Sequence, residues 1–208
     1  MRLLGVLDGR DMAPELLRAW AESAEFVIAA DGAADRLLEA GVRPNLIIGD
    51  MDGMTRDAEG VEILTDSDPE STDCDKLLRW VRREGHSNLT LANIEGDLLD
   101  HVMATLSSCA AFGRTVRIAL RRGIGWVFTG PLKINVDPHA RVSLIPITPC
   151  SGVKLHGVQW RLDNADLHPG GRVSISNAAT DGFVQATIVR GTGFLFAEYP
   201  REEMPFWD

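Results

Sequence analysis

Two aspartates two positions apart give the clearest chemical signal in the chain. Residues 49–53 read Gly-Asp-Met-Asp-Gly and directly follow an apolar run at 46–48 that is typical of a buried strand. On an extended chain the side chains of Asp50 and Asp52 point to the same side, about 6.5–7 Å apart. Carboxylates this close repel each other. A divalent cation such as Mg²⁺, which takes carboxylate and phosphate oxygens as ligands, removes the repulsion. The alternative is a surface turn, in which Asp and Gly are favoured.

Further acids stand where other predicted elements end or begin. Asp31 follows a strand-like apolar run at 26–30, Asp73 opens a helical pattern, and Asp100, followed by His101, opens another. In a parallel α/β sheet the carboxyl ends of the strands lie along one edge, where ligands bind, so we expect these acids to converge. Simpler interpretations stay open. Asp31 is then a helix cap, Asp100 a favourable charge in a first helical turn, and His101 a structural residue.

Asp73 and Lys76 are three positions apart, so both lie on the same face of the predicted helix. In the functional interpretation Asp73 is a metal ligand and Lys76 contacts a phosphate. In the structural alternative the two residues form a surface ion pair, and Thr72 or Ser71 caps the helix.

The pattern of elements changes near residue 113. Before it, apolar runs alternate with amphipathic helical patterns, which predicts a mostly parallel sheet covered by helices. After it come short segments rich in β-branched and aromatic residues, which predict an all-β unit. We therefore predict an α/β N-terminal domain with a mostly parallel sheet (1–120) and an all-β C-terminal sandwich domain (121–208). The predicted strands after the change are 116–120, 126–129, 142–146, 173–175, 184–189 and 194–197.

Charge and composition exclude several classes of protein. The net charge of −9 disfavours a nucleic-acid partner, because a phosphate backbone attracts Lys and Arg. The charge is uneven, since residues 1–112 hold 22 Asp and Glu against 10 Lys and Arg, whereas residues 113–208 hold 8 against 11. No apolar run approaches the roughly 20 residues that span a bilayer, and the apolar start is too short for a signal peptide. We therefore expect a cytoplasmic protein without a membrane partner. The sequence lacks the GxxxxGK[ST] phosphate loop, a dinucleotide fingerprint and zinc-binding histidine spacing.

Four stretches of the first half resemble the thiamine pyrophosphokinase family in order and spacing. They read Ala-Asp-Gly-Ala-Ala-Asp-Arg-Leu-Leu (30–38), Pro-Asn-Leu-Ile-Ile-Gly-Asp-Met-Asp (44–52), Ser-Thr-Asp-Cys-Asp-Lys-Leu (71–77) and Leu-Asp-His (99–101). Three stretches of the second half are similar more loosely: Ser-Leu-Ile-Pro (143–146), Gly-Val-Gln-Trp-Arg-Leu (157–162) and Ser-Ile-Ser-Asn (174–177). The resemblance spans roughly residues 28–197.

This resemblance implies Mg²⁺-dependent transfer of a diphosphate group from ATP to the hydroxyl of thiamine, giving thiamine diphosphate and AMP. It also implies a homodimer whose active sites lie between the α/β domain of one subunit and the β domain of the other. The implied metal ligands are Asp50, Asp52, Asp73 and Asp100, of which Asp73 and Asp100 are also the catalytic candidates. The ATP-binding candidates are Asp31, Gly32, Arg36, Thr72, Lys76 and His101.

For thiamine, the resemblance implies contacts from Trp160, Ser176 and Asn177. An aromatic face suits the thiazolium cation, although a core aromatic of the sandwich is the structural alternative for Trp160.

Three positions depart from the family pattern. Leu98 stands where the family has an arginine, Asp97 replaces a glycine, and Gly53 replaces a serine. Arg36, Arg121 or Arg122 are candidates to compensate for the missing arginine.

Two alternative functions follow from these departures. One is a pyrophosphokinase for a hydroxymethyl-dihydropterin, and the other is a catalytically inactive protein that binds thiamine or a nucleotide.

Overall fold

The computed structural model describes residues 1–56, 58–200, 204 and 206–207 of the 208-residue chain. The chain forms two compact units. The first comprises Met1–Ser108, Ile118–Arg121 and Phe206–Asp208, and the second comprises Cys109–Arg117 and Arg122–Pro205. No helix in the described part of the chain has the length and apolar character needed to cross a membrane.

The first unit contains strands and helices in alternation. Its elements are β1 (Leu3–Val6), α1 (Pro14–Ser23), β2 (Phe26–Ala30), α2 (Ala33–Glu39), β3 (Leu46–Gly49), β4 (Glu62–Thr65), α3 (Asp73–Arg83), β5 (Leu89–Ala92), the start of α4 (Leu99–Phe112) and the end of β6 (Val116–Leu120). The strand order is β6-β5-β1-β2-β3-β4. Strand β1 is parallel to both β5 and β2, β2 is parallel to β3, and β3 is parallel to β4. The carboxyl ends of these strands therefore lie along one edge.

Apolar burial explains why these short segments become strands and helices. Strands β1, β3 and β5 are buried along their whole length, as expected of parallel strands covered on both faces. Helix α3 places its apolar stripe of Leu77, Leu78 and Val81 in the core. A Cβ on Gly5 would lie 2.9 Å from Leu77, so the absence of a side chain in β1 lets α3 approach the sheet closely.

The second unit is antiparallel. It contains β7 (Gly123–Asn135), β8 (Arg141–Pro146), β9 (Cys150–His156), β10 (Leu162–Leu167), β11 (Ser174–Ala178) and β12 (Phe183–Glu198). Strand β12 pairs with β7 along its length, and its register breaks between Ile188 and Gly193. Before the break β12 pairs with β9, and after it with β8. Strand β10 pairs with β9, and β11 pairs with β8. The long strands β7 and β12 thus belong to two four-stranded antiparallel portions.

Several strands differ from the sequence-based elements. The predicted strand 126–129 is part of the longer strand β7. Segments 184–189 and 194–197, predicted as separate strands, form the single strand β12. Gly191, with φ 94° and no space for a Cβ beside the Pro149 carbonyl, lies at the register break. Strand β4 was missed because it is an exposed edge strand without an apolar run. Strands β9 and β10 were missed because charged and polar residues interrupt their apolar positions.

Candidate active site

A cavity of about 680 Å³ lies in the first unit, at the carboxyl ends of β1, β2 and β3. Its walls come from the loops that follow these strands, from the start of α3, and from the loop and first turns of α4. Six carboxylates line it, belonging to Asp8, Asp31, Asp50, Asp52, Asp73 and Asp97. The converging strand ends predicted from the sequence therefore bring most of the candidate acids to one cavity.

Three of these carboxylates form a tight group that we call the acid cluster. Oxygen atoms of Asp31, Asp50 and Asp52 all lie within 4.8 Å of one another. Asp31 is 1% exposed, and its Oδ2 accepts a hydrogen bond of 3.0 Å from the backbone N–H of Gly53. Its other oxygen, Oδ1, is buried and has no hydrogen-bond partner among the described residues. A buried oxygen without a partner is costly. A hard divalent cation, which prefers oxygen donors, would satisfy it, so this cluster fits Mg²⁺.

The loop after β3 is held so that the acid cluster can form. A Cβ on Gly49 would lie 2.6 Å from the Cβ of Asp31, so only glycine lets β3 run this close to the end of β2. Met51 has φ 71°, a left-handed conformation, and the chain bends at 51–53, so Asp50 and Asp52 do not lie on the extended segment that the sequence predicted. Further on, the carboxylate of Asp35 in α2 accepts hydrogen bonds from the backbone and hydroxyl of Thr55 and from the backbone of Arg56.

The electrostatics of the acid cluster are asymmetric. Burial raises the pKa of Asp31, and the nearby charges of Asp73 and Asp50 act in the same direction, against the hydrogen bond from Gly53. Asp50 is exposed, and partial desolvation favours its neutral form. Hydrogen bonds from Asp52 and the charge of Lys76 nevertheless lower the pKa of Asp50. The buried carboxylate thus resists ionisation unless a cation is close by.

The start of α3 presents a buried ammonium group to the cavity. Lys76 Nζ donates to Asp73 Oδ1 at 3.0 Å and lies 3.7 Å from Asp50 Oδ2, and the side chain of Lys76 is 3% exposed. Burial opposes the charge, but the hydrogen bond to Asp73 and the charges of Asp73, Asp50 and Asp66 outweigh it and raise the pKa of Lys76. The lysine is therefore held charged beside the acid cluster.

Helix α3 begins in a capping box. The hydroxyl of Thr72 accepts from the backbone N–H of Asp75, and the carboxylate of Asp75 accepts from the backbone N–H of Thr72. Thr72 therefore has a structural role as the helix cap. It also lines the cavity.

The segment before α3 is fixed by an arginine that the sequence did not single out. Arg79 donates to Asp66 at 2.8 Å, to Asp68 at 3.0 Å and to Ser71 at 2.9 Å. Hydrogen bonds from Ser71 and Arg79 lower the pKa of Asp68 to about 2. Ser71 lines the cavity, so this network ties the wall of the site to the exposed face of α3. No motif in the sequence links residues so far apart.

Other candidates lie at or beyond the edge of the cavity. Asp100 is exposed and is not among the described residues that line it, so the structure does not bring Asp100 to the acid cluster. His101 does line the cavity, with Nδ1 3.2 Å from Asp97 Oδ2. Gly32 and Leu98 also belong to the wall.

The arginines proposed to compensate for Leu98 are elsewhere. Arg36 pairs with Asp8 at 3.3 Å, but the side chain that lines the cavity is that of Asp8. Arg121 and Arg122 are also outside the described lining. Asp8 itself was missed, although it follows β1 as Asp31 follows β2, so the rule of converging strand ends was sufficient to find it.

The thiamine candidates lie in the second unit. The buried Asn177 accepts a hydrogen bond of 3.1 Å from the backbone N–H of Trp160 and donates one of 2.8 Å to the carbonyl of Trp160. The ring of Trp160 is exposed, with 59% of the residue accessible, so it is not a core aromatic. Ser176 is exposed with φ 54°, and its backbone N–H donates to the hydroxyl of Ser143. Asn177 thus positions Trp160, whose face is available to a ligand.

Comparison with known proteins decides the family. A family model described as the catalytic domain of thiamin pyrophosphokinase matches residues 17–120, and one described as its vitamin B1 binding domain matches residues 132–189. The chain belongs to the thiamine pyrophosphokinase family. Thiamine pyrophosphokinase 1 of rice (Oryza sativa subsp. japonica) is 25% identical over 80% of this chain and 76% of its own length. Thiamine pyrophosphokinase 1 of Arabidopsis thaliana is 27% identical over 75% of this chain and 72% of its own length.

Solved structures of the thiamine pyrophosphokinase family share the fold. The Bacillus subtilis thiamine pyrophosphokinase superposes with a TM-score of 0.79 at 20% identity and covers 96% of this chain and all of its own. The yeast thiamin pyrophosphokinase superposes with a TM-score of 0.73 at 18% identity, over 97% of this chain and 87% of its own. The mixed sheet with few helices is therefore the fold of this family.

Proposed function

We propose that the chain is a thiamine diphosphokinase that transfers a diphosphate group from ATP to the hydroxyl of thiamine, giving thiamine diphosphate and AMP, in a Mg²⁺-dependent reaction. Membership of the thiamine pyrophosphokinase family gives the enzyme class. The observation that supports the ATP and metal assignment best is the acid cluster, with the buried and unpartnered Oδ1 of Asp31 beside the charged Lys76. Together they suit a phosphate chain held with a divalent cation.

We assign the metal to Asp50 and Asp52, with Asp31 as a further oxygen donor of the acid cluster. We keep Asp73 as a proposed ligand because it lines the same cavity, although it is not part of the cluster. When bound, Mg²⁺ supplies positive charge that neutralises the phosphate oxygens. Asp100 was predicted as a fourth ligand, and the geometry of the cavity gives it no support. We also keep the predicted ATP-binding residues. All of them except Arg36 line the cavity: Asp31, Gly32, Thr72, Lys76 and His101.

The chain's own groups have two tasks in such a reaction. Diphosphate transfer depends on positioning and on stabilising charge, and Lys76 contributes a fixed positive charge for the phosphates. The hydroxyl of thiamine must also lose its proton. We assign the proton acceptor to a carboxylate, with Asp73 preferred over Asp100 because only Asp73 lines the cavity.

The acceptor side of the reaction is assigned to the second unit. Residues 1–120 form the proposed ATP-binding catalytic domain and residues 121–208 the proposed thiamine-binding domain, an assignment supported by the two family models. The exposed ring of Trp160 offers a face for the thiazolium cation. The side chain of Asn177 holds the backbone of Trp160, and Ser176 is next to Asn177 on β11. We further propose a homodimer in which each active site combines the first unit of one subunit with the second unit of the other.

Release of AMP from ATP, measured with thiamine and with or without Mg²⁺, tests the proposed function. We expect AMP release only when both are present, and loss of AMP release in Asp50→Asn with the fold intact. Glu62→Gln, which removes an exposed acid of β4 outside the cavity, is the matched control and retains activity. Hydroxymethyl-dihydropterin in place of thiamine tests the alternative acceptor. The proposal would be rejected if AMP were released with the pterin but not with thiamine, or if turnover were unchanged in Asp50→Asn.

A further inference from the structure

The cavity that holds the acid cluster is strongly negative, although its proposed ligand is an anion. Six carboxylates line it, against two permanently charged cations among the described residues, Lys76 and Arg10. The ammonium of Lys76 is already engaged by Asp73 at 3.0 Å and Asp50 at 3.7 Å. A phosphate chain in this cavity therefore needs positive charge beyond that of Lys76 and a metal.

Arg10 is presented to the cavity by a rigid loop. A Cβ on Gly9 would lie 2.2 Å from the carbonyl oxygen of Asn93, so the loop after β1 runs in direct backbone contact with the loop after β5. The backbone N–H of Gly9 donates to Asn93 at 2.7 Å, and that of Arg10 donates to Glu95 at 2.8 Å. The buried amide of Asn93 donates to the carbonyls of Leu7 and Gly9. The backbone of Arg10 is thus fixed on both sides.

The guanidinium of Arg10, by contrast, has no partner among the described residues, in either a hydrogen bond or an ion pair. The other arginines close to this region are occupied. Arg36 pairs with Asp8 and Glu39, and Arg121 lies 3.9 Å from Asp11. A guanidinium that lines a cavity with six carboxylates, yet pairs with none of them, is free to bind an incoming anion.

We propose that Arg10 binds the phosphate chain of the nucleoside triphosphate in this cavity, an inference that rests on the proposed use of ATP. Its planar fork of N–H donors matches two phosphate oxygens at once. Lys76 and Arg10 then hold the chain from α3 and from the loop after β1. Because the backbone of Arg10 is already fixed, binding has to order only its side chain on the phosphates.

Calorimetric binding of α,β-methylene-ATP with Mg²⁺, in the absence of thiamine, tests this role, because the analogue cannot be cleaved between its first two phosphates. A lost hydrogen bond to a charged group weakens binding about tenfold or more, and we expect this for Arg10→Gln. Arg10→Lys keeps the charge but loses the fork, so its affinity falls between wild type and the glutamine variant. Arg83→Gln, an exposed arginine on the last turn of α3 outside the cavity, is the matched control and binds like wild type.

The outcomes separate this inference from the proposed function. If wild type binds the analogue and Arg10→Gln binds it equally well, Arg10 does not contact the phosphates and the proposed function is untouched. If wild type does not bind the analogue with Mg²⁺, the proposed use of ATP fails and the inference fails with it. Thermal unfolding shows whether each variant is folded. Arg10→Met, which keeps the aliphatic stem, gives the same comparison if the glutamine variant does not fold, with the same weakening expected.

Discussion

The ammonium of Lys76 lies 3.0 Å from a carboxylate oxygen of Asp73, one helical turn earlier, and is almost completely shielded from solvent. An exposed pair at this spacing contributes little. Here the lysine is buried, whereas the side chain of Asp73 is 38% exposed, so the contact mainly fixes the position of the ammonium group. The second contact, 3.7 Å to Asp50, links α3 to the loop after β3. The lysine therefore joins two of the elements that carry the proposed metal ligands.

Replacing Lys76 with glutamine removes this charge while keeping a polar side chain. We expect the kcat/KM for ATP to fall by about 10- to 150-fold, because a charged contact to the phosphates contributes about 1.5–3 kcal/mol. The carboxylates of Asp73 and Asp50 also lose their counter-charge. The kcat/KM is measured from AMP release at several ATP concentrations, with Arg83→Gln as the control. A fall of less than threefold contradicts a role for Lys76 in binding phosphate.

Asp31→Asn tests the buried oxygen of the acid cluster. The pKa of Asp31 is raised in the folded protein, so its ionised form destabilises the metal-free fold. That loss of stability sets in as the pH rises from the ordinary carboxyl pKa through the raised one, and is complete above it. At neutral pH with EDTA we therefore expect a higher Tm for Asp31→Asn than for wild type.

The same variant should respond less to metal. Adding Mg²⁺ raises the Tm of wild type by mass action if the cluster binds it, and Asp31→Asn should lose most of this rise. Glu62→Gln, which removes an acid far from the cluster, is the control and keeps the full rise. A lower Tm for Asp31→Asn in EDTA contradicts the destabilisation expected from the raised pKa of Asp31, and an unchanged response to Mg²⁺ contradicts the assignment of Asp31 to the metal site.

Two neighbouring glycines give a matched test of how the loop after β3 is built. A Cβ at Gly49 would lie 2.6 Å from the Cβ of Asp31, whereas a Cβ at Gly53 would meet nothing nearer than 3.5 Å. Gly49→Ala should therefore cost about 1–3 kcal/mol in the free energy of unfolding and lower AMP release by displacing Asp50. Gly53→Ala should be tolerated in both respects. Denaturant unfolding measures the difference, and equal stability of the two variants would contradict the close approach.

The placement of Asp31 and Asp50 in one cavity was predictable because it follows from one rule. The apolar run at 26–30 is followed by Asp31, and the run at 46–48 is followed, after Gly49, by Asp50. Parallel strands bring such ends to one edge. The rule fails for Asp100. Asp100, like Asp73, stands at the start of a helix rather than at the end of a strand, so the rule does not fix where either residue lies. Their positions depend on the loops before α3 and α4, which periodicity does not describe, and only Asp73 lines the cavity.

Contacts between distant segments could not be predicted in the same way. Nothing in the sequence pairs Arg79 with Asp66 and Asp68, or Asn93 with the backbone of Gly9. These contacts form only once the fold brings the loops together. The resemblance to a family supplied the proposed role of Trp160 in thiamine binding, which composition and periodicity alone leave open between a core position and a ligand contact.

Mixing two inactive variants tests the proposed homodimer and its shared sites. Asp50→Asn damages the first unit and Trp160→Ala the second, so each homodimer carries two defective sites. If a site combines units of different subunits, a mixed dimer has one site with both defects and one with none. Random exchange at equal amounts makes half of the dimers mixed, so about a quarter of wild-type AMP release should return. Light scattering establishes the dimer first. A monomer in solution contradicts the proposed assembly, and no recovery after proven subunit exchange contradicts the shared site.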